Sequence, residues 1–295
     1  MILRHIRYLV AVAEHGNFTR AAEALHVSQP TLSQQIRQLE DQVGAPLLDR
    51  SGRAVRPTDA GAAYLEYARR ALRELAAAQR ATQEVADLSR GALRLAMTPT
   101  FTCYLLGPLV ERYAARHPGV KLEIREMTQD AMEAALAADE LDLGIAFDTA
   151  GAPEIQRQPL FAEKLCVVAG PRHRWRELAT PLDARALEQA PLALLSADFA
   201  TRGHIDAHFR QLGIAPRVAM EANTIGAILE TVRRGAMATI LPEAIARQDP
   251  ALHALEMRPA LPARTAALLC RRDGYRSAAA RACLPLLEEL AGQLA

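Results

Sequence analysis

One group of side chains in the segment FTRAAEALHVSQPTLSQQIRQLE, residues 18–40, has types and spacing that could do chemistry. The second half of the segment places Leu32, Ile36, Leu39 and Val43 in steps of four, three and four, one apolar stripe of a helix. The opposite face presents Gln29, Pro30, Ser33, Gln34 and Arg37, where an ordinary solvated face carries Lys and Glu. Nearly uncharged hydrogen-bonding groups suit base edges in a DNA major groove. Gln pairs bidentately with adenine, Ser meets several bases, Arg prefers guanine, and proline carbons can touch a thymine methyl. Glu would be repelled by phosphates, and Lys would bind without reading. A solvated face that happens to be rich in Gln is the alternative.

Such a helix must be positioned by others. Leu3, Ile6, Leu9, Val10 and Ala13 give a first helix a stripe that Gly16 closes. A second helix is expected over FTRAAEALHV, with Thr19 as N-cap and Ala21, Ala22 and Leu25 turned inward. After a turn at His26 and Val27, Ser28 caps the third helix, Pro30 fits its first turn and Gly44 ends it. Two helices joined by a short turn, the second with a polar outer face, form a helix-turn-helix. The following PLLDRSGRAVRPT sets Arg50, Ser51, Gly52, Arg53 and Arg56 between Leu47, Leu48 and Val55, the pattern of a small hairpin or wing. Arginines there can reach the adjacent backbone or minor groove; a merely solvated charge cluster is the alternative.

Thr58 can cap a further helix with Asp59 in its first turn, and no proline interrupts it before Gly91. About thirty residues at ~1.5 Å rise make a rod of ~45 Å. Tyr64, Ala68, Ala71, Leu75, Ala78, Thr82 and Val85 alternate four and three apart, a heptad seam. So long a helix needs a partner. The seam predicts antiparallel pairing of two copies, so that two heads read two half-sites. Packing on its own chain is the alternative.

From Gly91 strands and helices alternate. ALRLAM, KLEIREM and LDLGIAF are expected strands, and FTCYLLGPLVERYAARH and QDAMEAALAADE expected helices, an order that predicts a parallel sheet wrapped by helices. A second series has strands in EKLCVVAG, LALLS, RVAMEAN and TILPEAIA and helices in TRGHIDAHFRQLG and TIGAILETVRRG. The strand TAALLCRR and a helix from about Ser277 return to the first lobe. Two lobes joined by two crossing strands resemble periplasmic-type binding proteins, whose ligands lie in the cleft at strand carboxyl ends. Three such ends carry short polar groups: Thr98, Thr100 and Thr102; Ser196 and Thr201; Asn223 and Thr224. Phe101 and Phe147 could wall the cleft or belong to the core. Hydroxyls, an amide and helix N-terminal N–H groups suit a small anion. With Arg202 the one cation among them, a weakly hydrated monoanion fits better than a phosphate or a dicarboxylate. Ordinary helix capping is the alternative for each residue.

Bulk properties narrow the classes. A chain of 295 residues, half of them apolar, affords two or three domains with sizeable cores. Its net charge of +1 means that any basic surface is local. Lysine occurs at Lys121 and Lys164 alone; the arginine excess suits phosphates and guanine edges, or reflects a GC-rich genome. No export signal follows Met1 and no apolar run approaches ~20 residues, so a cytoplasmic location without membrane contact is expected. Cys103, Cys166, Cys270 and Cys283 form no CxxC pair and are expected as free thiols, with redox sensing at Cys103 as the alternative. Asp139, Glu140 and Asp142 lack a supporting metal cluster, and His204 and His208, four apart, lack a third ligand. No GxSxG, GxGxxG or P-loop appears, so neither an enzyme nor a metal or cofactor is expected.

The whole run FTRAAEALHVSQPTLSQQIRQLEDQVGAPLLDRSGRAVRPTDAG closely resembles the DNA-binding head of the LysR-type transcriptional regulators. GALRLAMTPTFTCYLLGPL, ADELDLGIAF, LLSADFATRGHID and EANTIGAILE resemble the cyanate-operon regulator branch of that family. The resemblance implies that Gln29, Pro30, Ser33 and Gln34 sit in the major groove, that Arg53 approaches the minor groove, and that Thr31, Arg50 and Ser51 contact phosphates. Gln34 stands where many members have Arg. The resemblance implies an α+β protein with three parts. These are an all-α winged helix-turn-helix head (1–58), a dimerising linker helix (59–90) and a two-lobed α/β effector domain (91–295). The lobes are expected at 91–161 with 266–295, and at 162–265. Expected partners are double-stranded operator DNA, a second copy of the chain (with a homotetramer implied), a small-molecule effector such as cyanate, and RNA polymerase, in activation, repression or both. A binding or sequestering protein whose N-terminal helices only mediate assembly is the runner-up; it leaves the polar helix face and the arginine wing unexplained.

Overall fold

The computed structural model describes residues 3–52, 54–83, 91–178 and 181–294, without the side chains of residues 80–83. The chain forms two compact units, divided between Gln83 and Glu84.

In the first unit, α1 (Leu3–His15), α2 (Phe18–Ala24) and α3 (Gln29–Val43) pack around one core. Leu9, Val12, Ala21, Leu32, Ile36, Leu39 and Leu47 are completely buried there, or nearly so. Ala21 and Ala22 are the buried residues of α2, and their short side chains bring α2 close to its neighbours. The inward side of α1 is His5, Ile6, Tyr8, Leu9 and Val12, rotated from the expected stripe, and Leu3, Val10 and Ala13 are half-buried. Val43 also departs from expectation, being 39 % exposed on the last turn of α3. The cap of α2 is Asn17 rather than Thr19; its Oδ1 accepts from the N–H groups of Thr19 and Arg20. Ser28 caps α3 by accepting from Thr31 N, and Gly44 closes it at φ 77°, a left-handed conformation that favours glycine.

The wing is a two-stranded antiparallel pair, β1 (Leu48–Asp49) with β2 (Arg56–Pro57). Thr58 Oγ1 donates to Pro46 O and accepts from Gly61 N, so it caps α4 (Asp59–Gln83) while fastening it to the wing. Leu65 of α4 joins the head core. Further along, Ala71, Leu75 and Ala78 are exposed, as is Tyr67. Of the expected seam, Tyr64 is half-buried and Ala68 buried; the Thr82 side chain and Val85 lie outside the described residues.

The second unit has two lobes. The first holds β3 (Gly91–Met97), α5 (Pro99–Tyr104), α6 (Leu106–Arg116), β4 (Val120–Glu126), α7 (Gln129–Ala137), β5 (Leu143–Phe147) and β6 (Ile155–Glu163). The chain then crosses to β7 (Leu165–Ala169), β8 (Leu182–Asp183), a 3-10 turn at Ala184–Glu188 and β9 (Leu192–Leu195). The second lobe continues with α8 (Ala200–Leu212), β10 (Val218–Ala222), α9 (Ile225–Arg234), β11 (Ala238–Pro242) and α10 (Glu243–Arg247). It ends with β12 (His253–Leu255) and β13 (Met257–Arg258). A second crossing leads back to β14 (Arg264–Arg271) and α11 (Ala278–Leu294) in the first lobe.

The sheets run β4-β3-β5-β14-β6 and β10-β9-β11-β7-β12, and β13 pairs with β8. Both large sheets are mixed, where a parallel sheet was expected. β3 pairs in parallel with β4 and β5, but β14 is antiparallel to β5 and β6. In the second lobe β7 is antiparallel to β11 and β12. The two crossings impose this, because each enters the other lobe from the cleft end, so β7 and β14 run away from the cleft while the neighbouring strands run toward it. The expected helix over residues 101–117 is two helices, broken at Leu105. TILPEAIA is a strand that ends at Pro242 and a short helix from Glu243. Strand β6 was not foreseen; as an edge strand it tolerates Pro159.

Candidate functional site

The outer face of α3 separates into two groups of polar residues. Gln29, Pro30, Thr31, Gln34 and Arg37 are exposed and Ser33 is half-buried. Gln35 and Gln38 are tied down: Gln35 Oε1 accepts from Arg4 Nη2 at 3.0 Å and lies 2.7 Å from His5 Nε2, and Gln35 Nε2 donates to Gln38. Gln35 thus braces the helix against α1, and the N-terminal glutamines are left outward.

The wing is organised by a residue the sequence reading missed. Glu40 Oε1 accepts from the N–H groups of Leu47 and Leu48, and its Oε2 meets Arg50 Nη2 at 2.6 Å. The Arg50 guanidinium also lies 5.3 Å from the Phe18 ring centroid. Arg50, expected as a phosphate contact, is therefore first a strut between α3 and the wing. Ser51 donates from both Oγ and N to Asp49 Oδ1, which holds that carboxyl below its usual range. Arg53 lies outside the described residues.

In the second unit the strand ends of the two lobes enclose a cleft with two adjoining compartments. A cavity of about 430 Å³ is lined by Thr98, Thr100, Thr201, Phe147 and Phe199, among others. A second, of about 410 Å³, adds His204, Arg264 and Asp148. Gln129, Asp130, Phe147 and Ala200 border both. Of the expected ligand residues, Thr98, Thr100, Thr201 and Phe147 come together here. Thr98 and Thr100 are 6 % and 2 % exposed, and their hydroxyls lack a hydrogen-bond partner.

The others line neither cavity. Phe101 is fully buried in an aromatic cluster with Tyr104, Phe147 and Phe161. Thr102 Oγ1 donates within α5 and lies against Glu126. Ser196 leans on Asp198, Asn223 is exposed, and Thr224 caps α9. Sequence spacing cannot distinguish a polar strand end that faces the cleft from one that merely caps a helix.

The cation of the cleft also differs from expectation. Arg202 is committed elsewhere, to Asp206 at 2.9 Å, Glu221 at 2.7 Å and the Leu195 carbonyl at 2.7 Å. Arg264 takes its place, 3.9 Å from the Phe147 ring centroid, donating to Thr201 Oγ1 at 3.1 Å and paired with Glu163. Tyr104 donates to the other Glu163 oxygen at 2.8 Å. Burial pushes the Glu163 carboxyl up, with the nearby Arg264 charge opposing. Glu163 ends one crossing strand and Arg264 begins the other, so this buried pair ties the two crossings together. The rim carries Asp130, Asp148 and Asp198, all exposed. With Arg264 already paired, a free anion finds a poorer seat here than the hydroxyls alone suggested.

Gln129 fixes the shared wall. Its Nε2 donates to Phe147 O and Thr149 Oγ1, and its Oε1 accepts from Phe147 N. His204 Nε2 lies 2.8 Å from Pro262 O, and His208 is buried separately. Among the described residues no group of three or more His, Cys, Asp or Glu converges as a metal site, and no helix is long and apolar enough to cross a membrane.

Both units have known relatives. Residues 3–62 match the model for the bacterial regulatory helix-turn-helix proteins of the lysR family, and residues 86–292 match that for the LysR substrate binding domain. The Hca operon transcriptional activator HcaR of Escherichia coli (strain K12) is 34 % identical over 246 residues, 82 % of each chain. The regulator AlsR of Bacillus subtilis (strain 168) is 31 % identical over 248 residues, 82 % of this chain and 80 % of its own. Among solved structures, full-length CbnR complexed with its target DNA is similar at 26 % identity and a TM-score of 0.58, covering 99 % of this chain and 100 % of its own. A full-length OxyR variant from Pseudomonas aeruginosa gives 25 % identity and a TM-score of 0.69, over 99 % of this chain and 94 % of its own. A helix with an exposed polar face, a wing and a two-lobed domain with a cleft, matched along their lengths by these relatives, make the chain a member of the LysR family of DNA-binding transcriptional regulators, which are not enzymes.

Proposed function

We propose that this regulator reads operator DNA with the N-terminal half of α3, pairs through α4, and responds to a small molecule held between its lobes. The observation that carries the DNA reading is the division of polar residues on α3. Gln29, Thr31 and Gln34 are exposed while Gln35 braces the helix against α1. Gln29, Pro30, Ser33 and Gln34 read base edges, Arg37 reads or flanks them, and Thr31, Ser51 and Arg53 meet the backbone or minor groove. Arg50 contributes by holding the wing. The DNA named with CbnR supports duplex DNA as the partner. The exposed apolar residues Tyr67, Ala71, Leu75 and Ala78 on α4 support self-association, with a tetramer and contact with RNA polymerase following from the family.

A gel-shift salt series tests the DNA reading. Gln29→Ala should lose about 1–3 kcal/mol of base discrimination, and Arg53→Ala should weaken all sequences alike and lower the salt slope by about one. Equal binding of operator and unrelated duplex by the wild type would end the assignment. Leu75→Glu should lower the solution mass; an unchanged mass removes α4 as the pairing surface.

For the effector, the cleft's size and unpartnered hydroxyls support a small polar ligand. Cyanate, suggested by the sequence resemblance, is the narrowest form of the small-anion reading, whose support is those hydroxyls.

A further inference from the structure

We propose that the ligand of this cleft carries a positive charge, as a small organic ammonium ion or as a zwitterion whose amine end meets an acidic rim. The inference rests on the cleft being the effector site. Asp198 borders one compartment, Asp148 the other and Asp130 both. All three are exposed, and among the described residues no ion pair holds any of them. Against them stand Arg264, already facing Glu163, and His204, whose ring meets the Pro262 carbonyl. The charge left for a ligand to meet is therefore negative.

The helix starts do not reverse this. Asp130 occupies the first turn of α7, and Asp198 stands two residues before the first residue of α8. The Asp130 carboxylate already answers the partial positive charge of its helix N-terminus. An anion entering here would meet three like charges at the rim and be repelled by them.

The second observation is independent of charge. Thr98 and Thr100, 6 % and 2 % exposed, border the first cavity, and their buried hydroxyls have no partner. A buried polar group is normally satisfied, and a ligand's polar end can satisfy these. Pro99, Ala197 and Phe199 supply apolar wall beside them. An ammonium group on a short apolar body, with or without an acceptor at its far end, answers rim, wall and hydroxyls together.

The test is titration calorimetry of the full-length protein at fixed ionic strength, using benzylamine, benzyl alcohol and benzoate as one body in three charge states, with cyanate as a fourth probe. The same titrations are run on the triple variant Asp130→Asn, Asp148→Asn, Asp198→Asn, whose exposed sites leave the fold intact; its melting curve checks this. Benzylamine should bind at least tenfold more tightly than benzoate, and the triple variant should abolish that preference. Tighter binding of benzoate or cyanate overturns the inference and leaves the small-anion reading standing. Equal binding of all three charge states, or an undiminished preference in the triple variant, also overturns it. No binding by any probe removes the cleft as a ligand site, and the inference with it.

Discussion

Replacing Arg264 by alanine should destabilise the two-lobed unit severely, and the reason is electrostatic. The side chains of Arg264 and Glu163 are 7 % and 2 % exposed. Removing the guanidinium strands a buried carboxyl whose remaining partner is the Tyr104 hydroxyl, 2.8 Å away. Breaking one side of such a pair costs about 3–5 kcal/mol, whereas replacing both partners with apolar residues of similar size is close to neutral. For a domain of this size each kcal/mol moves the melting temperature by about 2–4 °C, so Arg264→Ala should melt about 6–20 °C lower. Calorimetric melts of Arg264→Ala, Glu163→Leu and the double Glu163→Leu, Arg264→Met complete the cycle. The double variant should recover most of the loss. The pH dependence gives a second check. Burial holds the Glu163 pKa above the ordinary carboxyl value, so between that ordinary value and the raised folded one the folded state binds a proton that the unfolded chain releases. Acidification toward the ordinary carboxyl value therefore favours folding at this group, and the deficit of Arg264→Ala should shrink as pH falls. A loss under about 1 kcal/mol, or a double variant no better than the worse single, would refute the reasoning.

Other perturbations follow from the same geometry. A Cβ on Gly61 would lie 1.8 Å from the Leu47 carbonyl oxygen, so Gly61→Ala must shift α4 against the wing; expected is a loss of about 1–3 kcal/mol by urea denaturation together with weaker operator binding. Gly107→Ala, with nothing within 4 Å of the new carbon, is the neutral control. His173 is buried beside Arg174, and both desolvation and that charge push its pKa down. Its contribution to stability is complete above the ordinary value of 6.5 and is lost as pH falls through the lower folded value; His173→Gln should flatten that decline in pH-dependent melts. The thiols of Cys166 and Cys283 are pushed up to about 12, and burial followed by Glu126 raises that of the exposed Cys103. Native protein at pH 8 should label slowly at Cys103 while Cys166 and Cys283 react only after unfolding, as counted with a thiol reagent.

Local chemistry made the head legible. Ser28 and Gly44 bound α3 because caps act within one turn, and Leu32, Ile36 and Leu39 face inward because 3.6-residue periodicity is short-range. Glu40 escaped notice because its role depends on the wing folding back to offer Leu47, Leu48 and Arg50, which no spacing in the helix announces. The alternating series of residues 91–271 gave the two lobes. It did not give the antiparallel insertion of β14 between β5 and β6, which follows from where the crossings lie. The cleft was half legible. Thr98, Thr100 and Thr201 stood out as hydroxyls at strand ends. Glu163 and Arg264 are 101 positions apart and meet only through the double crossing. Asp130 and Asp198 carry no signal in the sequence, and their shared cleft is a tertiary fact.

Strand β14 lies between β5 and β6, and α11 packs against β6, β3 and α6 with Cys283, Leu286 and Leu287 fully buried or nearly so. During synthesis on the ribosome, residues 91–163 therefore emerge with the middle of their sheet still missing. The lobe formed by residues 165–258 is made in between and can close first. For those intervening seconds β5 and β6 offer unpaired edges to any neighbouring nascent chain. A stop codon shortly before Arg264 should consequently yield an aggregating product that chaperones retain, not a shortened regulator.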